Sequence, residues 1–323
     1  ELVVVIVNDW IFENPDGKII KTLGDEKEHN TQIHAILEEF NLPYVFPKNV
    51  LKEAKNIKVE NDRKKRVDYR KELTFTIDPV DAKDFDDAIS FKINKGNFEV
   101  GIHIADVSHY VLKDSIVDKE AIKRATSVYL SDRVVPMLPE VLSNDKCSLN
   151  PHEEKNVFSV FITFDSAFNI VKKSINKSII VSDERFSYQE AQFIIDNETN
   201  KISKEKTILK EEKVVKKEIV KAIKTLNRIA ENLKRKRDSK VSIIFNKEEV
   251  MFKVNNNGDP TGFYVKKQKK ANFLIEELML LANATVAEKI IESKKRGVFR
   301  IHDKPDEKKI AEIDSFIKKL GYR

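Results

Sequence analysis

The sequence predicts an α+β fold of mixed, mainly antiparallel sheets packed with helices. Three observations carry this reading. Residues 1–25 are strand-like, two longer strand–turn–strand units follow at 88–107 and 157–181, and the segments 215–233 and 271–293 repeat apolar residues at helical spacing.

The first 25 residues alternate an apolar run, Leu2 to Val7, with Asp9-Trp10-Ile11-Phe12, a turn at 14–17, and Lys18 to Leu23 closed by Gly24-Asp25. Trp10 and Phe12 are candidates for base stacking, with core packing the commoner use of such residues. Ile33, Ile36, Leu37 and Phe40 predict a helix over 31–40, which Pro43 and Pro47 follow, and a short helix is expected at 50–54. A charged linker, 58–70, leads to a strand at 73–77.

Next comes a hairpin with arms 89–93 and 98–107 around the turn Asn94-Lys-Gly-Asn97. Val100, Ile102 and Ile104 alternate with Glu99, Gly101 and His103, which predicts one buried and one open face. His103, Asp106 and His109 suggest a metal cluster, but period-two spacing puts His103 and Asp106 on opposite faces, so structural roles are expected. The second hairpin, 157–164 with 170–181, turns at 165–168. Ser187-Tyr-Gln-Glu190 has the form of a capping box opening a helix to Ile195.

Val215, Ile219, Ala222, Ile223, Leu226, Ile229, Ala230 and Leu233 then mark one face of a basic helix. Strand-like runs at 243–245, 250–254 and 262–265 precede a helix over 271–293. The Glu276-Glu277 pair in that helix sits in an apolar run, where a carboxylate is costly without a partner. A last helix carries Ile310, Ile313, Phe316, Ile317 and Leu320 and stops at Gly321.

Charged residues make up 35% of the 323, and the formal net charge is +6. That excess is local: residues 201–240 hold fifteen Lys/Arg against six Asp/Glu, a surplus of 9, so the rest of the chain is slightly acidic. A polyanionic partner is expected, with Lys234-Arg-Lys-Arg237 the densest positive spot. The single cysteine, Cys147, excludes an internal disulfide framework and a cysteine-based zinc site. No apolar run is long enough for a membrane span, and the chain opens in mid-strand without methionine, so it is expected to be part of a longer one.

The most chemically loaded stretch is 76–91, where Asp78, Asp81, Asp84, Asp86 and Asp87 fall within ten residues between two apolar strands. Carboxylates this crowded must protonate or share a cation, and a hard, oxygen-seeking ion suits them. Taking Asp78 as position 1 of an EF-hand puts Lys83 at the glycine position and Ile89 at position 12, which excludes that motif. A solvated acidic turn is the bland alternative. The run into the strand Ala88 to Ile93 argues against it by planting the carboxylates at a strand end.

The run Asp78-Pro-Val-Asp-Ala-Lys-Asp84-Phe-Asp86-Asp87-Ala resembles the signature of the ribonuclease II/ribonuclease R family of exoribonucleases. Gly101 to Tyr110, Thr126 to Pro139, Leu142 to Asn150 and Leu274 to Asn283 resemble further family motifs, in the family order. The likeness implies the end of a cold-shock, OB-type barrel at 1–25, a helical linker at 26–70 and an RNB catalytic domain from 71 to 323. It also implies a cytoplasmic, processive 3′→5′ exoribonuclease that hydrolyses single-stranded RNA to nucleoside 5′-monophosphates by a Mg²⁺-dependent two-metal mechanism. The ribosome or other RNA-decay factors are further candidate partners, and no membrane is involved.

Carried over residue by residue, the resemblance makes Asp78, Asp84 and Asp87 the metal holders and Asp86 the catalytic residue. Tyr129 becomes the aromatic that stacks on the 3′-terminal base and sets final product size. Glu276 or Glu277 matches a family carboxylate near the 3′-terminal nucleotide, and Lys234 and Arg235 are candidate RNA contacts. Asp81 is expected only to shape the loop. The chain departs from the pattern at Lys240-Val-Ser-Ile-Ile244 and stops before the family's arginine motif and S1 domain. Two rivals are a non-catalytic RNA-binding protein on the same scaffold and a small-substrate phosphodiesterase. Four mutually repelling carboxylates speak against the first, and the basic segment against the second.

Overall fold

A computed structural model describes residues 1–9, 15–58, 62–239, 249–255, 258–301 and 303–322. Trp10 and Phe12, the strand expected at 243–245 and the departure at 240–244 lie outside the described residues. The chain divides into two units, 1–282 and 283–323.

The first unit opens with an antiparallel pair, β1 (Leu2–Asp9) and β2 (Asp16–Gly24), followed by helices α1 (His29–Glu39) and α2 (Lys48–Asn56). Its centre is a seven-stranded mixed sheet. The members are β3 (Val67–Asp68), β4 (Thr74–Asp78), β5 (Asp87–Asn94), β6 (Asn97–Ala105), β9 (Glu154–Phe164), β10 (Ile170–Val181) and β11 (Glu184–Ser187), in the order β11-β4-β5-β6-β9-β10-β3. The two edges pair in parallel, β3 on β10 and β11 on β4, and all inner pairs are antiparallel.

The β5–β6 connection follows directly from sequence. Lys95 and Gly96 both take positive φ, 49° and 82°, the type I′ geometry whose twist matches that of the flanking strands. The expectation of one open face on β6 is corrected. Both faces of 100–103 are buried, and on the His103 face the Tyr69 and Phe161 rings lie 6.3 and 5.7 Å from the imidazole. His103 looked like an outward polar residue, yet it is fully buried and bridges Ser90 Oγ at 2.9 Å and Ser159 Oγ at 2.7 Å. Burial depresses its imidazole to about 3, so it is a neutral core histidine. Gly101 makes room for it: a Cβ there would stand 2.3 Å from Ser90 Oγ and 2.8 Å from His103 Nε2.

Between β6 and β9 lie α3 (Val107–Tyr110), α4 (Ile116–Arg124) and the two-residue hairpin strands β7 (Val128–Tyr129) and β8 (Val134–Val135). Asp106 belongs to the scaffold. It accepts from Arg66 Nη2 at 2.7 Å and Ser108 Oγ at 2.8 Å, while His109 faces Asp62 at 3.7 Å. The charged linker is therefore partly structural, since the Arg66 side chain is fully buried and β3 completes a sheet edge.

The capping box forms as expected: Ser187 Oγ accepts from Glu190 N, and the Glu190 carboxylate accepts from Ser187 N, opening α5 (Tyr188–Asp196). After the short pair β12 (Lys201–Ile202) and β13 (Lys213–Val214), helix α6 (Lys217–Asp238) buries Ile219, Ala222, Ile223, Leu226, Ile229 and Ala230, the predicted stripe. Strands β14 (Glu249–Val254) and β15 (Pro260–Lys266) form a separate hairpin before α7 (Lys270–Glu292). The unit 283–323 contains the last turns of α7 and α8 (Glu307–Lys319), which Asp306 caps by accepting from Lys308 N.

Candidate active site

The acidic loop connects β4 to β5, so Asp78 ends one strand and Asp87 begins its neighbour. What holds the loop between them is an apolar side chain among the carboxylates. Phe85 is 6% exposed and packs in a core with Ala88, Ala105, Leu142, Cys147, Leu149 and Ile180. Its backbone is pinned on both sides: Phe85 N donates to Ser148 Oγ at 3.0 Å, and Phe85 O accepts from Leu149 N at 2.8 Å. Ala105 N donates to Asp86 O at 2.9 Å. Asp84 and Asp86 are thus fixed on either side of a buried ring, and the Leu142 to Asn150 motif supplies the fixing groups.

The electrostatics are those of a site built for a cation. Burial lifts the Asp78 carboxyl to about 6, against the opposing pull of the Thr76 hydroxyl and the Arg185 guanidinium, and the Asp84 and Asp86 charges add to the rise. Asp87 is pushed up to about 7, first by burial and then by the charges of Asp78 and Asp86. Asp86 is raised by desolvation of its carboxyl and by Asp84, although its residue surface is exposed. Asp78 Oδ2 and Asp87 Oδ2 are buried and accept no hydrogen bond. Two buried carboxylate oxygens without donors are costly unless a proton or a metal ion meets them. Asp81 is exposed.

Among the described residues, no group of three His, Cys, Asp or Glu side chains is arranged to hold an ion by itself. Magnesium does not require a closed set, because it keeps several waters and takes part of its coordination from substrate phosphate oxygens. The donor set of hard oxygens, two of them orphaned, fits that ion.

Arg185, on β11, was not visible as a site residue in the sequence. Parallel pairing sets Arg185 opposite Thr76 and Ser187 opposite Asp78. Arg185 Nη2 lies 2.9–3.1 Å from the carbonyl oxygens of Pro79, Val80 and Ala82, and its guanidinium sits 4.6 Å from the centre of the Phe85 ring. It clamps the acidic loop through backbone contacts. Arg185→Ala should therefore loosen residues 79–87, costing about 1–2 kcal/mol of stability. Hydrogen exchange should show faster exchange there than in β9 and β10. Unchanged loop exchange in Arg185→Ala would refute the clamp.

Tyr129 is 72% exposed, so core packing is ruled out for it. Partial burial raises its phenol, and the charges of Asp84 and Asp86 act in the same direction, which sets the ring beside the acidic loop. Tyr188, the first residue of α5, was also missed. Burial pushes its hydroxyl up to about 12, helped by Asp87 and Asp78, so a neutral phenol stands next to the two orphaned carboxylates. The available signal was its place directly after the capping serine.

The other candidates do not gather here by any observed contact. Glu277 is 4% exposed and engaged by the Arg237 guanidinium, with Nε to Oε1 at 3.2 Å, whereas the Glu276 side chain is more open and lies 3.6 Å from Arg237 Nη2. The positive spot is thus partly neutralised. Arg237 serves Glu277, Lys234 pairs with Asp238 at 3.1 Å and lies over the Phe273 ring, and Arg235 is exposed.

Residues 66–322 match the family model described as the RNB domain, and residues 1–47 match the one described as a cold shock domain. The chain belongs to the RNB family. This RNB chain is 37% identical over 311 residues to ribonuclease R of Aquifex aeolicus, which covers 95% of the chain and 43% of that protein. It therefore spans less than half the length of that relative. Its fold is similar to that of Mycoplasma genitalium RNase R in complex with ribose methylated single-stranded RNA, with a TM-score of 0.86 and 28% identity over 95% of this chain and 46% of that one. Yeast Ssd1, a pseudonuclease, shares the fold at a TM-score of 0.74 and 21% identity, over 98% of this chain and 39% of that one. Membership of the RNB fold is thus compatible with a working or a silent site, and the side chains must decide.

Proposed function

We propose that this chain carries the catalytic centre of a processive 3′→5′ exoribonuclease that hydrolyses single-stranded RNA to nucleoside 5′-monophosphates with Mg²⁺. In this reading residues 1–25 end an OB-type barrel, 26–70 connect it, and 71–323 belong to the catalytic domain. The observation that carries it is the pair of buried, unpartnered oxygens on Asp78 and Asp87, with Asp84 and Asp86 fixed beside them by Phe85. A binding-only protein gains nothing from carboxylates whose charged forms are this strained, and phosphate would be repelled by them without a cation. That separates it from the silent reading.

Asp78, Asp84 and Asp87 would hold the metal, which when bound supplies an ionised water and neutralises charge on the phosphate oxygens. The chain's own groups set the geometry. Phe85 and Arg185 hold the loop, so the carboxylates need little reorganisation as the phosphodiester arrives. Asp86, whose residue surface is exposed, would orient the attacking water. Tyr129 offers a sequence-tolerant stacking surface for the terminal base. Glu276 is the better placed of the two glutamates to meet the terminal nucleotide, since Glu277 is committed to Arg237. Lys234 and Arg235 lie on the basic helix that would attract the backbone electrostatically.

Among the described residues no helix is long and apolar enough to cross a membrane, and the proposed setting is cytoplasmic. The test uses the intact protein and RNA labelled at its 5′ end. Stepwise shortening from the 3′ end, with release of nucleoside 5′-monophosphates and dependence on Mg²⁺, is the expected result. Internal cleavage, or tight RNA binding with no turnover in Mg²⁺, would overturn the proposal.

A further inference from the structure

The hairpin that carries Tyr129 has almost no sheet of its own. It pairs Val128 with Val135 and Tyr129 with Val134, and its turn closes through Leu130 N donating to Arg133 O at 2.8 Å. Two residue pairs cannot hold a hairpin in water, so its position must come from elsewhere. The support is α1, which lies within the part of the chain that matches the cold shock domain model.

Ile33 and Leu37 of α1 form a small core with Val135, packed around by Val128, Leu130, Leu42 and Tyr44. At the hairpin tip, His29 Nε2 lies 3.1 Å from Asp132 Oδ2, and Arg133 Nη1 donates to Asn30 Oδ1 at 2.6 Å. Arg133 also forks onto Asp132 Oδ2, with Nε at 2.9 Å and Nη2 at 2.6 Å. The Asp132 side chain is only 6% exposed, so this is an enclosed contact and not a passing surface pair. Alternation along the strand does the rest. With Val128 and Leu130 turned to α1, Tyr129 is turned away from it, toward Asp84 and Asp86.

We infer that α1, through His29, Asn30 and Leu37, is the positioning element for Tyr129, so that the cold-shock side of the chain sets the length of the final RNA product. The inference rests on the proposed stacking role of Tyr129. It adds that the ring's grip depends on a contact made on the opposite side of its hairpin, by residues that touch neither RNA nor the carboxylates.

The experiment compares limit products of a labelled single-stranded RNA, on a denaturing gel, for the intact protein and for Tyr129→Ala, Asp132→Asn, Leu37→Ala and Tyr129→Ala combined with Asp132→Asn. Asp132→Asn keeps the side-chain shape, and Leu37→Ala attacks the same contact from the other element, so a folding failure in one leaves the other informative. The expected result is a final product longer by about one nucleotide in each single variant, as when one stacked base is lost. The double variant should go no further, and in Asp132→Asn and Leu37→Ala the initial rate on long RNA should stay near that of the parent. If Tyr129→Ala lengthens the product while Asp132→Asn and Leu37→Ala only slow degradation of long RNA or change nothing, the positioning role is overturned and stacking stands. If Tyr129→Ala itself leaves the product unchanged, the stacking role falls and this inference falls with it.

Discussion

Asp86→Asn should reduce RNA hydrolysis by at least roughly 10³-fold while leaving RNA affinity within a few-fold of the parent. Asp86 is the member of the acidic set whose residue surface is exposed, and its backbone is fixed by the bond from Ala105 N. The amide keeps the shape and cannot accept a proton or carry charge. Its neighbours benefit from the change: Asp86 is one of the charges that raise Asp78 and Asp87, so both should ionise more easily in the variant. Removing one negative charge near phosphate also relieves repulsion, which is why binding should survive. Binding and turnover measured side by side with Mg²⁺ present check this. Parental turnover in the variant would remove Asp86 from the chemistry.

In the metal-free protein, stability should fall as pH rises from 5 to 8, the reverse of a protein stabilised by ordinary salt-bridged carboxylates. Burial sets Asp78 at about 6 and Asp87 at about 7, both above the unfolded carboxylate range. Between that range and these values the folded state holds protons that the unfolded chain has released. The contribution of these two groups is therefore fully present below about pH 4 and is lost as pH rises through 6 to 7. The loss is on the order of a few kcal/mol for the pair. Mg²⁺ binds the ionised forms, so adding it at pH 8 should raise the melting temperature far more than adding it at pH 5. Asp87→Asn should stabilise the metal-free protein at pH 8 and blunt the response to Mg²⁺. Thermal melts in chelator across this range decide the matter: a flat or rising curve would mean that the two carboxyls are not strained.

Much of the scaffold was legible because its signals are local. Lys95-Gly96 specifies a tight turn, Ser187 and Glu190 specify a cap, and the α6 stripe repeats at helical spacing over five turns. The acidic set was legible because charge density of that kind has few structural uses. What stayed hidden depends on partners far away in sequence. Nothing around Arg185 announces that it reaches three carbonyls about a hundred residues earlier, and Phe85 reads as one more aromatic until its core is assembled. The strands β3, β7 and β8 have two residues each, too short for any period to show. His103 misled the face assignment because its two serine partners lie on different strands, 13 and 56 positions away. That Glu277 is the buried one of the two glutamates could not be read from the sequence, because its partner Arg237 lies on another helix.

The parallel pairing of β11 on β4 has a consequence in time. Asp78 meets Ser187 across a gap of more than a hundred residues, and the arginine that ties down the loop arrives on the same late strand. Long-range parallel contacts of this kind close slowly and only after the intervening chain exists. A ribosome making this protein therefore exposes the acidic segment well before the segment that shapes it. Until then the aspartates belong to an unclamped loop and lack the arrangement that the folded chain gives them.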